Sequence, residues 1–349
     1  MIIPIFLMNQ GCPHRCVFCN ERLTAGNCPE KITENVFVET IRSHLERNKR
    51  KAGPVQIAFY GGTFTGMKND EQKRLLTFAA PFLANGTVES IRISTRPDEI
   101  NAEDLVLLMK SGVSTIEIGA QSFDDEVLLL SKRGHTAADN FRAIKMLKEK
   151  GFSSGIHLMV GLPGDSPERF AETVQRTIEL RPDTVRIHPT IVLKDTALAK
   201  DFRNGKYQPL SLAEATQICK AALKELAKAG IPVIRLGLQT TRELEEPGAI
   251  VAGPFHPAFR SIVEGAVFLE MAEALLHASG GGKKNITFLV SSGDISNIKG
   301  PRRKNIAMLK EHFGLHQIDI KTDLSLRRRS LAITDGQNKV TTDFSGRIA

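Results

Sequence analysis

Short apolar runs alternate with amphipathic stretches along the first two-thirds of the chain. Residues 2–8, 55–60, 90–94, 115–119, 156–160 and 184–188 are each nearly all apolar and read as strands of a sheet covered by helices. Each is followed by a helical pattern, over residues 33–48, 70–83, 102–109, 124–149, 167–180 and 212–229. Six strand-then-helix units predict parallel strands joined by right-handed crossovers. Such a chain forms either an open doubly wound sheet or a partial barrel, and in both the reactive face lies at the C-terminal ends of the strands. Further on, the pattern predicts strands at 286–292, 317–322 and 330–334. A helix over 301–313 is opened by Gly300-Pro301, with Arg302, Arg303 and Lys304 in its first turn. There is no internal repeat or low-complexity tract.

The chain has 349 residues, of which 41% are hydrophobic and 25% charged, as in a soluble globular protein. No apolar run is long enough to span a bilayer, and no charged leader precedes an apolar core at the N-terminus. The first strand begins at residue 2, so a cytoplasmic protein without a membrane partner is expected. The charge is unevenly spread. Residues 281–349 hold 13 Lys and Arg against 6 Asp and Glu, whereas residues 1–280 hold 34 against 33. The basic C-terminal segment is expected to meet phosphates, RNA being the leading partner, with Arg302 to Lys304 and Arg327 to Arg329 as its cations. A solvated edge fits Arg327 to Arg329 equally well.

Chemistry concentrates directly after the first strand. Cys12, Cys16 and Cys19 fall within eight residues at the spacing Cys-x3-Cys-x2-Cys. A closed zinc site wants four ligands, which His14 or Cys28 would have to complete. An iron–sulfur cubane accepts three cysteines and leaves one iron open to a small molecule. Lone Cys219 lies in an apolar helical pattern and reads as core. The other predicted strand ends carry Gly61-Gly62-Thr63, Ser94-Thr95-Arg96-Pro97, Gly119-Ala120-Gln121-Ser122, His157 with Gly161-Leu162-Pro163-Gly164, and His188-Pro189. Glycines let a ligand approach the backbone, and a side-chain amide can hold a sugar hydroxyl. Taken singly, each position also fits a tight turn, a polar loop or a satisfied core histidine.

The run Cys12-Pro13-His14-Arg15-Cys16-Val17-Phe18-Cys19-Asn20 resembles the cluster motif of radical S-adenosylmethionine (radical SAM) enzymes, specifically their Elp3-like branch. The resemblance extends through Gly61-Gly62-Thr63-Phe64 and Ser94-Thr95-Arg96-Pro97-Asp98. It continues through the run from Ile116 to Ser122, Lys132-Arg133-Gly134-His135-Thr136, and the run from His157 to Gly164. It covers residues 1 to 240 strongly and continues more loosely through Gly253 to Arg260.

What the resemblance implies is an α/β fold, a partial (β/α)6 radical SAM barrel over 1–240 with a small basic C-terminal α/β domain over 241–349. Cys12, Cys16 and Cys19 would ligate a [4Fe–4S] cluster whose fourth iron binds the methionine part of SAM. The backbone of Gly61, Gly62 and Thr63 would meet the SAM amino group, and Phe18 would pack on adenine. Gln121 and Arg133 stand where relatives contact the SAM ribose and carboxylate. His157 stands in place of an acidic ribose contact, and Ser94 where relatives carry Glu. A one-electron reductant of the flavodoxin or ferredoxin type is implied as partner. Elp3 itself carries an RNA-binding extension and an acetyltransferase domain that this chain is expected to lack. Three functions therefore stay open: radical chemistry on RNA, radical chemistry on a small metabolite or tetrapyrrole-like substrate, and a non-catalytic cluster-binding role.

Overall fold

Six parallel strands, paired in sequence order, form the frame of the site: β1 (Ile2–Phe6), β2 (Gln56–Tyr60), β3 (Ser90–Thr95), β4 (Val113–Gln121), β5 (Ser153–Val160) and β6 (Thr184–Pro189). The computed structural model describes all residues except 27, 28, 30, 49–52, 280–283, 335–337 and 349. The described chain divides into two units, one of residues 1–209 with 238–253 and one of 210–237 with 254–349. Among the described residues no helix is long and apolar enough to cross a membrane.

The first unit is the partial barrel. Its crossovers carry the helices Glu34–Arg47, Asn69–Ala84, Ala102–Lys110, Ala137–Glu149 and Pro167–Leu180. Their starts follow from local chemistry. Thr33, Asn101 and Ser166 cap the exposed N–H groups with their side chains, and Thr136 forms a reciprocal box with Asp139. Along the strands every second residue is a fully buried aliphatic, such as Ile57, Ile93, Ile118, Leu158 and Ile187. Several of the intervening positions, which face the other way, are polar: Tyr60, Arg92, Ser94, Glu117, His157, Arg186 and His188, while Ala58 and Met159 are not. The expectation of nearly all-apolar strands is thus corrected on the inner face.

Those inner residues show that the sheet curls. Arg186 on β6 donates to the Tyr60 hydroxyl on β2 at 2.6 Å and lies 3.0 Å from Glu117 on β4. In a flat sheet, β2 and β6 would stand four strand spacings apart, roughly 19 Å, beyond the reach of these two side chains. The contact therefore requires a barrel-like curl.

The second unit centres on the helix Phe259–Ala278, which the sequence pattern did not pick out. Val263, Val267, Phe268, Met271 and Leu275 bury its length. The helix Leu212–Lys228, read from sequence as the last barrel helix, groups with this unit, and Cys219 is fully buried in it. A four-stranded sheet runs in the order Gln317–Thr322, Asn285–Val290, Ser330–Thr334, Lys339–Asp343. The predicted helix over 301–313 is shorter. Lys304–Phe313 is helical, while Pro301–Arg303 is a single tight turn with Arg302 and Arg303 left-handed at φ 50° and 63°. The cause is Asn305, whose amide donates to Gly265 O at 2.8 Å and Asn297 O at 3.2 Å and fills the space beside Gly300. Arg302 and Arg303 thus precede the helix instead of forming its first turn.

The run Arg327 to Arg329 is partly structural. Arg328 donates to Asp294 at 2.9 Å, and Arg329 donates to Glu264 at 3.1 and 3.2 Å. Glu264, 3% exposed, also accepts from Arg260 at 2.9 Å and Asn297 at 3.0 Å. Breaking a buried pair leaves uncompensated charge. Glu264→Ala is expected to destabilise this unit by about 3–5 kcal/mol in denaturant unfolding. Arg328→Ala should cost less, about 1–3 kcal/mol, because buried Asp294 keeps the Arg329 N–H at 2.8 Å. Equal losses in the two variants would contradict the assignment.

Candidate functional site

The cysteine loop meets the turn that follows β2 backbone to backbone. Thr63 N–H donates to Gln10 O at 2.8 Å. A Cβ on Gly11, at φ 72°, would fall 2.1 Å from Thr63 O, and one on Gly62 would fall 2.4 Å from Gln10 O. Both positions need glycine for packing, whatever they bind. The loop's far side is tied by Val17 N–H to Ser131 O at 3.2 Å, Leu198 N–H to Val17 O at 2.8 Å, and the Asn20 amide to Lys194 O at 2.8 Å. Phe18 packs against two buried clusters, one of Val17, Val192 and Leu198, the other of Val127, Met159 and Leu162.

Clamped in this way, the loop leaves Cys12 exposed and Cys16 and Cys19 half-buried. Cys19 N–H donates to Cys16 O at 3.2 Å. The Thr63 hydroxyl lies 3.2 Å from Cys12 Sγ, and Arg133 Nη1 donates to Cys16 Sγ at 3.0 Å. Burial pushes the Cys12 and Cys19 thiols up from their ordinary value, and the nearby Glu21 carboxylate adds to it. Metal binding to such thiols must expel protons. Cys28 lies outside the described residues.

Arg133 is the hub of the opposite wall. Nη2 donates to Gly119 O at 2.6 Å, its own carbonyl accepts from Arg96, and Arg96 pairs with Asp98 at 2.8 Å. Its Nε is buried without an acceptor. Gln121, left-handed at φ 65°, ends β4 where the pairing with β5 slips register. It is 6% exposed, and its Oε1 finds no partner. His135 beside it is held neutral, its pKa pushed down to about 3 by burial and then by Arg133. Thus Cys12 and Thr63 meet, as do Cys16, Arg133 and Gly119. Ser94 and His157 stand lower on the inner face, in register with Glu117 and Arg186, and the His157 ring packs edge-on to His188 at 4.4 Å.

Sequence reasoning missed Glu21, Glu117, Arg186 and Asp165. Glu21 accepts the Asn9 N–H, and burial raises its pKa to about 7. Its nearer oxygen lies 3.9 Å from where a Cβ on Gly61 would stand. The sequence shows a single charged residue at the centre of each of the runs 115–119 and 184–188, but the groups that Glu117 and Arg186 pair with lie on other strands.

The donor set fits a cubane, which takes each thiolate on a separate iron. The Arg133 N–H on Cys16 Sγ matches the charge of a ligating thiolate, and the Thr63 hydroxyl stands within hydrogen-bond reach of Cys12 Sγ.

The profile of the radical SAM superfamily matches residues 6–177, and that of the radical SAM C-terminal domain matches residues 182–267. The chain belongs to the radical SAM superfamily, and Elp3-type proteins are among its relatives. A tRNA uridine(34) acetyltransferase of Methanocaldococcus infernus is 25% identical over 266 residues, covering 65% of this chain and 50% of that protein. Human Elongator complex protein 3 is 30% identical over 205 residues, covering 52% and 37%. The structure of Methanocaldococcus infernus Elp3 with residues 1–46 deleted superposes with a TM-score of 0.58 at 22% identity, covering 76% of this chain and 62% of that one. The chain spans about half the length of the first of these curated relatives. Members of the family bind a [4Fe–4S] cluster and S-adenosylmethionine.

One rim residue sets a pH dependence. Asp165 closes the loop after β5 by accepting from Gly161 N–H at 2.8 Å and Ser166 N–H at 3.0 Å, and burial raises its pKa from 3.8 to about 6. The folded chain keeps this proton where the unfolded chain gives it up, so stability falls as pH rises through that window. Wild type should lose about 3 kcal/mol between about pH 4 and pH 6 from this group, and Asp165→Asn should flatten that part of the profile. Denaturant unfolding across the range checks it, and parallel profiles would refute it.

Proposed function

We propose that Cys12, Cys16 and Cys19 hold a [4Fe–4S] cluster and that the surrounding rim holds SAM for radical chemistry on a substrate inside the barrel. The observation that carries this is the set of three cysteines at the C-terminal mouth of the parallel strands, Cys12 exposed and Cys16 and Cys19 half-buried, with Arg133 donating to Cys16 Sγ and the Thr63 hydroxyl 3.2 Å from Cys12 Sγ. When bound, the cluster supplies one electron that cleaves the sulfur–carbon bond of SAM and yields a 5′-deoxyadenosyl radical able to take a hydrogen atom from a substrate.

The chain's own part is placement and exclusion of water. Arg133 orients Cys16, and its remaining Nε–H is the donor left for the SAM carboxylate. Gly61, Gly62 and Thr63 offer backbone to the amino group, with Glu21 close by. The unpartnered Oε1 of Gln121 accepts from a ribose hydroxyl, and His157 and Ser94 lie along the inner wall to meet the rest of the nucleoside. Phe18 supplies the flat apolar surface for adenine. The electron comes from a flavodoxin- or ferredoxin-type partner, and the protein works in the cytoplasm.

RNA is the first substrate reading. It rests on relatives that are tRNA uridine(34) acetyltransferases and on Arg302, Arg303 and Lys304, all exposed. A small metabolite is the second, favoured by the charged inner wall of the barrel.

Anaerobic reconstitution should give about four irons and four sulfides per chain, with 5′-deoxyadenosine formed from SAM under dithionite. Cys16→Ala should abolish both, whereas Cys28→Ala and Cys219→Ala should retain both. One zinc and no sulfide would end this reading. For RNA, contact with about four phosphates predicts a slope of roughly −3 to −4 for log affinity against log salt on duplex-like RNA. Replacing Arg302, Arg303 and Lys304 by Ser should flatten that slope by about 2–3. A tRNA pool that fails to bind at low salt leaves the metabolite reading.

A further inference from the structure

Deep inside the barrel, two arginines share one carboxylate. Glu117 Oε1 lies 2.5 Å from Arg92 Nη1 and 3.0 Å from Arg186 Nη2, with the Tyr60 hydroxyl 3.5 Å away. Arg186 also donates to the Tyr60 hydroxyl at 2.6 Å and lies 4.8 Å from the centre of its ring. Arg92 reaches Gln56 Oε1 at 3.2 Å. Arg92 is 9% exposed and Glu117 3%. The Nε–H groups of both arginines are buried without an acceptor. The cluster therefore holds one uncompensated positive charge and two unmet donors.

A clamp that served only to curl the sheet would need a single arginine against Glu117. Buried charges are ordinarily paired and buried donors satisfied, because leaving either alone is costly. A cationic ligand would be repelled here, and an apolar one would leave both donors unmet. The side chains of Arg92 and Arg186 keep 11% and 16% of their surface exposed, beside partly exposed Ser94, Gly119, His157 and His188 on the same inner face.

We propose that this cluster is an anion subsite, in which Arg186 and Arg92 take a phosphate or carboxylate group of the substrate. The proposal rests on the reading of the barrel interior as the substrate chamber. It gives that substrate a chemical class: a molecule that enters with an anionic group foremost. The uncharged base of an extruded nucleotide would leave the positive charge unmatched, so the subsite favours a small anionic substrate over an RNA base.

The test uses reconstituted enzyme loaded with SAM, so that the cofactor's own carboxylate is already placed. Inorganic phosphate and acetate are titrated separately by calorimetry, and at least one should bind at a single site per chain. Preference for phosphate identifies a phosphoryl group, and preference for acetate a carboxylate. Arg186→Gln should weaken binding about tenfold or more, as expected for losing a charge-assisted bond. Glu117→Gln, which removes the competing carboxylate, should tighten it, a result that a purely structural clamp would not give. If Arg186→Gln fails to fold, Arg186→Lys keeps the charge without the fork and should weaken binding less than tenfold while Glu117→Gln still tightens it. No binding of either anion, wild-type affinity in Arg186→Gln, or no tightening in Glu117→Gln would overturn the proposal. Formation of 5′-deoxyadenosine by the same wild-type preparation reads the proposed function separately. Cleavage without anion binding refutes only the subsite, and anion binding without cleavage refutes only the radical chemistry.

Discussion

Everything at the mouth of the barrel depends on how closely the cysteine loop approaches the turn after β2. The two segments meet backbone to backbone, with the Thr63 N–H on Gln10 O and no room for a side chain at Gly11 or Gly62. This contact sets Cys12 beside the Thr63 hydroxyl. The ties from Val17 to Ser131 and Leu198, and from Asn20 to Lys194, then fix the other end of the loop. Sulfur positions are thus determined by hydrogen bonds to separate parts of the unit, main-chain ones except for the Asn20 side-chain amide. A loop held in this way keeps its ligands in place whether or not the surrounding side chains repack, which is what a cluster with an open iron requires.

The second constraint is the difference between the two faces of the strands. The outer face is aliphatic and fully buried under helices, while the inner face carries charges that must be matched inside a curled sheet. Arg186 reaching Tyr60 and Glu117 is both a cause and a consequence of that curl. Replacing a buried ion pair with apolar residues is often neutral or stabilising, so stability alone gives little reason for two arginines and a glutamate in this position. Their presence is better explained by what enters the barrel.

The legible parts of the sequence were those where local chemistry decides structure. Three cysteines on a short loop and glycines at strand ends need no knowledge of distant partners. The six strands were also legible, since alternation of strand and helix fixes their direction. Glu21, Glu117 and Arg186 were hidden because their importance comes from neighbours far along the chain: Gly61 for the first, Arg92 and Tyr60 for the others. The helix Phe259–Ala278 escaped because it is apolar around much of its circumference and so shows little periodicity. The helix start at Lys304 was misplaced by three residues because the long-range bonds of Asn305, invisible to any local rule, hold Arg302 and Arg303 in left-handed geometry.

The two basic runs of the C-terminal unit show why charge counting needs structure before it says anything about partners. By composition, Arg302 to Lys304 and Arg327 to Arg329 are equivalent. By contact they are not: Arg328 and Arg329 neutralise Asp294 and Glu264, and the Arg329 guanidinium also lies over the Phe344 ring at 5.7 Å. Only charge that is not already matched within the fold can release counterions from a polyanion, so the electrostatic surface of this unit is smaller than its sequence suggests. Inside the barrel the reasoning runs the other way. There one carboxylate fails to match two guanidinium groups, and the unmatched charge is buried, where a single phosphate or carboxylate counts for more than several exposed lysines. In the proposed anion subsite, recognition would rest on the shortage of acceptors around Arg92 and Arg186 and not on the excess of cations on the surface.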